Sequence, residues 1–566
     1  MKLLRMPALA GLLTSLFSSQ VALGVPLQFT IEDASTGAVA TESRECSTVG
    51  IDLLKAGGNA ADALVGSVFC VGVIGMFHSG IAGGGFMTVR APNGSYEFID
   101  FRETAPAAAT QDMYNNNTEL SEYGGLASGV PGELRGLERL HKGYGSLAWK
   151  DVVTPAVELA RNGFRLNEDL HKAMVSSTSG KEDFFVTDPN WAIDFAPNGT
   201  RLGVNDTITR KRYADTLEVI AAEGVDAFYT GAIANATITA VKDAGGIMTL
   251  EDLANYTVST PDPLSINYRG YKVTTGGAPC SGAVALSALK IVEGYEDFGD
   301  DVNLTTHRLD EAIRFAYAER TELGDPDFVS GMKEYQEQMI SENVTSLIRS
   351  KITDSTTHPV AYYDPDGIES LDTPGTSHVV TADKSGLAIS LTTTINLYFG
   401  SRVLVPETGI IMNNEMNDFS IPNASNSFGY IPSEANYIRP GKRPLSSITP
   451  IIIDNRNGTF YISVGAAGGS RIITATIQNV FHMLDEDLTA LEALKKPRLH
   501  DQLVPNIVSF EYSYDNTTTA YMKERGHNVT WVAEGQSSAQ AIRRLGNGTF
   551  EAAGEPRQKN SGGYAI

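Results

Sequence analysis

Two threonines and a glycine give this chain its clearest potential for chemistry. Thr376 follows Gly375 at the start of a stretch rich in Val, Ile and Thr, and Thr394 lies in the next such stretch. If 384–386 forms a three-residue hairpin loop, Gly386 supplies the positive φ that the last loop position needs. Carrying this register back along both strands sets Thr376 opposite Thr394 on the same face of the sheet. The pattern therefore predicts two hydroxyl groups that meet at the start of a strand.

Paired hydroxyl groups in this position can serve nucleophilic chemistry. The alternative is an ordinary threonine-rich hairpin, because threonine is a good strand former. A slip of one residue in the register would also turn Thr394 away from Thr376. These residues alone leave both interpretations open.

The motifs of several other enzyme classes are missing from the sequence. It contains no Gly-x-Ser-x-Gly nucleophile elbow, no phosphate-binding loop, no His-Glu-x-x-His pair and no dinucleotide fingerprint. The nine histidines show no metal-ligand spacing, and there is no Cys-x-x-Cys pair to bind zinc through thiolates. We therefore expect neither a metal nor a cofactor.

The three cysteines are Cys46, Cys70 and Cys280. In an oxidising compartment Cys46 and Cys70 could pair as a disulfide, which leaves Cys280 as the odd one. A catalytic role for Cys280 is an alternative, but a small buried side chain is the more ordinary role of a free cysteine.

The composition suits a large globular protein. Of the 566 residues 42% are apolar and 20% are charged, which allows a sizeable core and gives no sign of global disorder. The formal net charge is −23. Such an acidic surface repels phosphate backbones, so nucleic acid is not expected as a partner.

The N-terminal residues have the pattern of a secretory signal peptide. Two basic residues precede an apolar stretch centred on 9–17, and 22–24 has the small residues that a signal peptidase requires. We predict that 1–24 is removed. An uncleaved membrane anchor is the alternative, but Gln20 and the nearby serines shorten the apolar run below the roughly 20 residues that span a bilayer.

Thirteen Asn-x-Ser/Thr sequons without proline lie along the chain, including Asn93, Asn198, Asn235, Asn343, Asn457 and Asn547. Single sequons arise by chance, but their spread behind a signal peptide supports passage through a eukaryotic secretory pathway. The medium, the cell wall and a vacuole all remain open as the final compartment.

Hydrophobic spacing divides the chain into helical and extended segments. It predicts helices at 47–55, 60–69, 213–222 and 310–320. Alternation with period two predicts strands within 376–399 and another at 461–464. No repeat, low-complexity tract or evident linker interrupts this mixture, which favours one integrated, layered α/β fold.

The strands around Thr376 also resemble the signature of the γ-glutamyl transpeptidases. The matching residues are TSH at 376–378 and TTTINLYFG at 392–400. Further matches follow in family order: FRETAP (101–106), LGDPDF (323–328), NNEMNDF (413–419), RPLSS (443–447), GGSR (468–471), PRLH (497–500) and GGY (562–564). The resemblance covers roughly 28–566.

The resemblance implies an N-terminal nucleophile hydrolase, a four-layer αββα sandwich of the α/β (α+β) class. Its precursor would cut itself between Gly375 and Thr376 into a large chain, 25–375, and a small chain, 376–566, which form one folded unit. The freed α-amino group has a reference pKa near 7.7–8.0, so its neutral fraction can take the hydroxyl proton without a histidine base. Thr394 would hold and polarise the Thr376 hydroxyl.

The implied activity is cleavage of the γ-glutamyl bond of glutathione and other γ-glutamyl compounds. The γ-glutamyl group would pass through an ester with Thr376 to water or to an amino acid or dipeptide acceptor. Gly468 and Gly469 would offer backbone N–H groups to the oxyanion, and a plain glycine turn after a strand is the alternative. His378 is a tempting base, but the resemblance gives it no such role.

The family match also implies the residues that bind the donor. The residues that bind the donor's α-carboxylate would be Arg102, Ser446 and Ser447. The residues that bind its α-ammonium group would be Asn396, Glu415 and Asp418. A planar guanidinium can grip a carboxylate with two parallel hydrogen bonds. Taken alone, Arg102 between two acidic neighbours could form a surface salt bridge, and Glu415 and Asp418 could belong to a solvated loop.

Some positions depart from the family pattern. Four of them are expected in the strand pair, namely Val380, Thr381, Leu387 and Ile389, and a degenerate proline run at 279–282 could alter the wall of the site.

Two other functions stay open: an acylase of the same fold for glutaryl or other side chains without an amino group, and a non-catalytic glycoprotein. Such acylases generally use serine and need no ammonium site, so Thr376, Glu415 and Asp418 count against the first.

Overall fold

The computed structural model describes residues 34–363, 375–422 and 432–566. The predicted signal peptide, 1–24, lies outside the described residues. No helix in the part of the chain that the structure describes combines the length and the apolar character needed to cross a bilayer.

The predicted helices near the N-terminus are confirmed, and local capping explains where they divide. Asn59 accepts hydrogen bonds from two backbone N–H groups, and the Asp62 carboxylate accepts one from the Asn59 backbone. This capping box begins the helix Ala60–Ile74. The helix before it, Arg44–Lys55, ends just before the glycine pair at 57–58.

Helices and strands alternate along the described residues. The strands are β1 (Gly37–Thr41), β2 (Gly84–Arg90), β3 (Tyr96–Asp100), β4 (Phe164–Arg165), β5 (Thr207–Ile208), β6 (Leu264–Tyr268), β7 (Tyr271–Thr275), β8 (Gly375–Asp383), β9 (Ala388–Asn396), β10 (Ile451–Asp454), β11 (Phe460–Ala467), β12 (Leu499–His500), β13 (Val508–Glu511), β14 (Val529–Val532), β15 (Ser538–Arg544), β16 (Phe550–Ala553) and β17 (Gly562–Ala565). The α-helices are α1 (Arg44–Lys55), α2 (Ala60–Ile74), α3 (Glu133–Tyr144), α4 (Trp149–Asn162), α5 (Glu168–Thr178), α6 (Phe184–Thr187), α7 (Pro189–Phe195), α8 (Lys211–Glu223), α9 (Asp226–Tyr229), α10 (Gly231–Asp243), α11 (Leu250–Asn255), α12 (Gly282–Glu293), α13 (Val302–Arg320), α14 (Met332–Met339), α15 (Glu342–Lys351), α16 (Arg471–Leu484), α17 (Ala490–Lys495) and α18 (Asn516–Glu524). Short 3₁₀ helices are Thr118–Ser121, Gly125–Ala127, Val360–Tyr363, Glu415–Asp418 and Glu434–Asn436.

Two six-stranded antiparallel sheets form the centre of the fold. Sheet 1 has the strand order β17-β1-β8-β9-β2-β3, and sheet 2 has the order β16-β15-β11-β10-β7-β6. Two smaller sheets, β12-β13-β14 and β4-β5, lie outside this pair.

The two large sheets stack face to face, and helices cover their outer faces. In this stack β8 and β9 of sheet 1 lie against β11 of sheet 2. Helices α1 and α2 pack on sheet 1, and α12 and α16 pack on sheet 2. The predicted four-layer αββα sandwich is therefore confirmed.

Side chains of β8 point alternately into two layers of the core. Val380 and Ala382 join the apolar cluster between the sheets, whereas Val379 joins the cluster beneath the helices of sheet 1. Because successive side chains of a strand point to opposite faces, Thr376 and His378 point toward sheet 2 with Val380.

The predicted hairpin register is confirmed. Thr376 pairs with Thr394, and the Asp383 backbone N–H donates to the Leu387 carbonyl at 3.0 Å. Gly386 has φ +86°, the left-handed conformation that the loop requires. The two hydroxyl groups thus begin from neighbouring backbone positions on one face of sheet 1.

A disulfide joins Cys46 on α1 to Cys70 on α2. Cys280 is free and buried, and its thiol contacts the Ile448 carbonyl oxygen at 2.9 Å. The disulfide thus ties together the two helices that cover the middle of sheet 1.

Removing the disulfide should lower the stability of the protein. For Cys46→Ala combined with Cys70→Ala we expect a loss of about 3 kcal/mol, because the bridge closes a loop with a sequence separation of 24 in the unfolded chain. Thermal unfolding with and without reductant measures this. Reductant should lower the Tm of the wild type and of Cys280→Ser but not that of the double variant. A double variant that responds like the wild type would contradict the assignment.

Candidate active site

The hydroxyl groups of Thr376 and Thr394 lie side by side between the sheets. Their oxygen atoms are 3.5 Å apart, and both residues are buried. Thr394 Oγ1 accepts a hydrogen bond from the Asn396 backbone N–H and donates one to the Gly375 carbonyl oxygen, each at 2.7 Å. One threonine therefore contacts both the Thr376 hydroxyl and the carbonyl group that precedes Thr376.

The position before Thr376 has room for glycine alone. A Cβ atom on Gly375 would lie 2.1 Å from the Asn396 carbonyl oxygen, far inside van der Waals contact. The pairing with β9 also shifts between Gly375 and Thr376. Such an irregularity changes the direction of the backbone at the start of β8. The close approach of β8 and β9 explains why a glycine precedes Thr376.

Sheet 2 brings a glycine pair to the same end of the sandwich. β11 ends at Ala467, and Gly468 and Gly469 follow with φ of +126° and +59°. They lead into α16, whose first backbone N–H groups have no partner within the helix and carry a partial positive charge. A glycine turn at a helix N-terminus can approach and stabilise an anionic oxygen.

Arg102 is buried, so the interpretation as a surface ion pair is wrong. It is 1% exposed, and its guanidinium donates to both Glu415 and Asp418 and, through Nε, to the Pro444 carbonyl at 3.3 Å. Glu415 and Asp418 lie on one 3₁₀ helix and are themselves buried. The interpretation as a solvated acidic loop is therefore also wrong.

Two buried carboxylates share the Arg102 guanidinium in this ion cluster. Burial raises the pKa of Glu415 well above its usual range and also raises that of Asp418, although Arg102 opposes both shifts. A ligand that brought a second cation would stabilise the ionised carboxylates. The cluster is therefore suited to an ammonium group.

The serine pair is held by the segment that departs from the family pattern. Ser446 N–H donates to the Pro279 carbonyl at 2.8 Å, and Ser281 Oγ donates to the Ser446 carbonyl at 2.5 Å. Arg320 donates to Ser447 Oγ at 3.3 Å. The altered residues at 279–282 thus support the wall of the site.

One cleft collects these groups. Eight of the ten residues predicted for catalysis or donor binding line it: Thr376, Thr394, Gly469, Arg102, Glu415, Asp418, Ser446 and Ser447. The other two, Gly468 and Asn396, are not among the residues that line it. Asn396 is the last residue of β9, and its side-chain amide donates to the Asn414 carbonyl at 3.0 Å.

His378 lies outside this cleft. Its Nδ1 is 2.8 Å from Thr392 Oγ1, and its ring occupies the space where Gly465 lacks a side chain. Burial lowers the pKa of His378 to about 3, so the ring is neutral at physiological pH. Its role is to fill the space between the sheets.

Within the described ranges, one side-chain group has ligand atoms close enough to hold a metal ion: His307, Glu311 and His527. His307 Nδ1 lies 2.8 Å from His527 Nε2, and the outer nitrogens contact the Thr353 carbonyl at 2.8 Å and Asp310 at 3.0 Å. Each of the four ring nitrogens therefore has a contact within the protein. None of the three residues lines the cleft.

Sequence reasoning missed several residues of the cleft, namely Arg320, Thr321, Ser420, Ser433, Asn436, Leu445, Ile448 and Ile472. A signal existed for Arg320, a basic residue that ends the predicted helix of 310–320 just before the motif at 323–328. Asn436 gave no signal, because its role depends on contacts with the distant Asp418 carbonyl at 2.7 Å and the Leu445 N–H at 2.9 Å.

The αββα sandwich with a threonine at the start of a central strand is the architecture of the N-terminal nucleophile hydrolases. A family model described as Gamma-glutamyltranspeptidase matches residues 46–565, and the chain belongs to this family. The chain is 57% identical over 549 residues to the glutathione hydrolase proenzyme of Arthroderma benhamiae, covering 94% of this chain and 93% of that protein.

Two other known proteins are similar to this chain over nearly its whole length. The chain is 48% identical over 565 residues to the glutathione hydrolase of Aspergillus flavus, covering 98% of this chain and 94% of that protein. A crystal structure of cephalosporin acylase from Bacillus halodurans matches with a TM-score of 0.84 at 28% identity, covering 96% of this chain and 99% of that chain.

Replacing Arg102 by leucine should destabilise the protein in a pH-dependent way. At pH 7 we expect a loss of roughly 3–5 kcal/mol, because two buried carboxylates lose their partner. At about pH 5 the loss should be smaller, since carboxyl groups with raised pKa values take up protons as the pH falls and no longer carry buried charge. Thermal unfolding at both pH values measures the difference.

Arg161→Leu is the matched control. Arg161 also contacts two acidic side chains, Asp215 and Glu218, but all three are exposed. Solvent screens surface ion pairs, so this variant should stay close to the wild type at both pH values. Equal losses for the two variants would contradict the buried ion cluster.

Proposed function

We propose that the protein is a γ-glutamyl transpeptidase and glutathione hydrolase that cuts itself before Thr376 and then uses Thr376 as its nucleophile. One observation carries the proposal. The paired hydroxyl groups of Thr376 and Thr394 share a cleft with a buried ion cluster, Arg102 with Glu415 and Asp418, that suits an amino acid headgroup. The family membership supports the same activity.

Self-cleavage begins when the Thr376 oxygen bonds to the Gly375 carbonyl carbon. The C–N bond between the two residues breaks and the nitrogen takes the hydroxyl proton, which leaves an ester and a free α-amino group. Water hydrolyses the ester to a carboxylate at Gly375 and restores the hydroxyl. The hydrogen bond from Thr394 to the Gly375 carbonyl oxygen supports this route, because that oxygen gains negative charge during attack.

In turnover the same hydroxyl attacks the γ-carbonyl carbon of the donor. The α-amino group of Thr376 takes the hydroxyl proton and passes a proton to the departing amine, Cys-Gly in the case of glutathione. The γ-glutamyl ester is then cleaved by water or by the amino group of an acceptor. Gly468 and Gly469, which lead into α16, offer backbone N–H groups to the oxyanion in both steps; their position at a helix N-terminus supports this role.

Donor binding rearranges the ion cluster. The donor's α-carboxylate takes hydrogen bonds from Arg102, Ser446 and Ser447, and its α-ammonium lies against Glu415 and Asp418. The exchange substitutes one set of charge-assisted hydrogen bonds for another, so that no buried charge is left alone. Asn396 supports the ammonium side from its fixed place at the end of β9.

The large chain, 25–375, and the small chain, 376–566, stay together as a heterodimer. The sheet order supports this, because strands of the two chains are interleaved. β1 of the large chain lies between β17 and β8 of the small chain, and β9 of the small chain pairs with β2 of the large chain. Separation would break both central sheets.

Maturation in the secretory pathway is part of the proposal. The disulfide between Cys46 and Cys70 is typical of an oxidising compartment. All six sequons named above have exposed asparagines, which suits glycosylation: Asn93, Asn198, Asn235, Asn343, Asn457 and Asn547. An N-terminal signal peptide that is cleaved, rather than kept as an anchor, completes this route.

Self-cleavage should depend on both paired hydroxyl groups. Thr376→Ala should remain one chain, and Thr394→Val should mature about 10²–10³-fold more slowly, because it removes one hydrogen-bond donor to the developing oxyanion. Denaturing gels over time and N-terminal sequencing of the small chain measure this. Thr392→Val is the matched control, since that hydroxyl bonds to His378 instead of Gly375. A small chain that begins elsewhere than Thr376 would contradict the mechanism.

The ammonium site should separate this function from that of an acylase for donors without an amino group. A γ-glutamyl anilide should exceed the matching glutaryl anilide by at least about thirtyfold in kcat/KM, because the glutaryl donor leaves Glu415 and Asp418 unpaired. Asp418→Asn should reduce this preference, chiefly by slowing the γ-glutamyl donor. Equal rates on both donors with the wild type would favour the acylase.

A further inference from the structure

A second arginine reaches the cleft from a different helix. Arg320 is the last residue of α13, is buried, and lines the cleft. Its Nε donates to Ser281 Oγ at 3.2 Å, and its Nη2 donates to Ser447 Oγ at 3.3 Å. Because a guanidinium is planar and its N–H groups point in fixed directions, the contact with Ser281 also fixes the group that faces Ser447.

The backbone that carries Arg320 is held on both sides. The Tyr335 hydroxyl donates to the Glu319 carbonyl at 2.9 Å, and the Ser433 hydroxyl donates to the Thr321 carbonyl at 2.7 Å. The last carbonyl groups of a helix have no partner within the helix, so such contacts stabilise its end. A cation in the last turn also interacts favourably with the helix dipole.

Arg320 determines the direction of each hydroxyl group that it contacts, because a guanidinium donates hydrogen bonds but cannot accept them. Ser281 Oγ accepts from Arg320, and its own proton goes to the Ser446 carbonyl at 2.5 Å. Ser447 Oγ also accepts from Arg320, so its proton must point elsewhere. Among the hydrogen bonds within the described ranges, none takes that proton to a protein acceptor.

Ser446 has the same kind of arrangement. The Ile448 backbone N–H, which can only donate, donates to Ser446 Oγ at 3.2 Å. Ser446 and Ser447 both line the cleft. Two neighbouring hydroxyl groups thus accept from groups of the protein and keep their protons for a ligand with two acceptor atoms, as a carboxylate has.

We propose that Arg320 is a positioning residue, which by donating to Ser447 turns the Ser447 hydroxyl proton toward the donor's α-carboxylate. This inference rests on the proposed function, because that function assigns Ser447 to the carboxylate. Arg102 binds the carboxylate directly, whereas Arg320 acts through a serine and touches neither the donor nor the reacting atoms.

The charge of Arg320 offers a different route to the same site. Burial raises the pKa of Asp418, and both Arg102 and Arg320 oppose this shift and favour the ionised carboxylate. An effect through charge does not depend on the Ser447 hydroxyl, but positioning requires it. Removing that hydroxyl therefore separates the two routes.

The test is a double-mutant cycle in the mature enzyme, with a γ-glutamyl anilide as donor. Arg320→Met keeps much of the side chain's length and removes its N–H groups. We expect it to lower kcat/KM about tenfold, chiefly through a higher KM, because the carboxylate is bound in the ground state and in the transition state alike. In the Ser447→Ala background the same change should cost at most about twofold.

Arg308→Met is the matched control. Arg308 is another buried arginine of α13, but it donates to Asp297 and Asp354 and does not line the cleft. Its substitution should leave kcat/KM close to the starting value in both backgrounds.

Arg320→Lys takes the place of Arg320→Met if the latter does not mature. Lysine keeps the charge but lacks the planar fork that contacts both serines. We expect a loss of at least about threefold in kcat/KM, which should again disappear in the Ser447→Ala background.

A loss of equal size in both backgrounds would overturn the inference, because Arg320 would then act without Ser447. Unchanged kcat/KM in the Arg320 variant with Ser447 intact would overturn it as well. Failure of the proposed function would look different, because the wild type itself would then lack activity on the γ-glutamyl anilide.

Discussion

In sheet 1, β8 is hydrogen-bonded to β1 on one side and to β9 on the other, and its first residues carry the bond that we propose is cut. This pairing sets the Thr376 hydroxyl beside Thr394 and sets the Gly375 carbonyl against the same threonine. β9 also pairs with β2, so the strand that carries Thr394 is hydrogen-bonded along both of its edges. A new N-terminus formed here would remain a paired strand end, held by the sheet rather than by a flexible loop.

In this account, the charges buried in the cleft determine which substrates such a nucleophile can act on. Arg102, Glu415 and Asp418 are removed from water together, so their charges must be balanced within the cleft. A ligand with both a carboxylate and an ammonium can replace these mutual contacts without leaving a charge unpaired. A plain acyl group lacks the second charge. The cephalosporin acylase has a similar fold. Our proposal assigns the choice of a γ-glutamyl donor to the buried ion cluster.

Much of this arrangement could be predicted from the sequence, and the exceptions share a physical cause. The hairpin register followed from local turn chemistry at Gly386, and the break between the helices α1 and α2 followed from hydrophobic spacing. Burial could not be predicted in this way, since Arg102 stands between acidic neighbours that suggested a surface pair. Contacts between distant segments were equally hidden, as for His307 with His527.

Mass spectrometry of the purified protein, with and without glutathione, tests the central claim that a freed Thr376 carries the γ-glutamyl group. Without glutathione the account predicts a small chain with the mass of residues 376–566. After brief exposure and acid quenching, part of that chain should gain the mass of one γ-glutamyl group, located by peptide mapping on Thr376. A single uncut chain in active protein, or an adduct on another residue, would contradict the account.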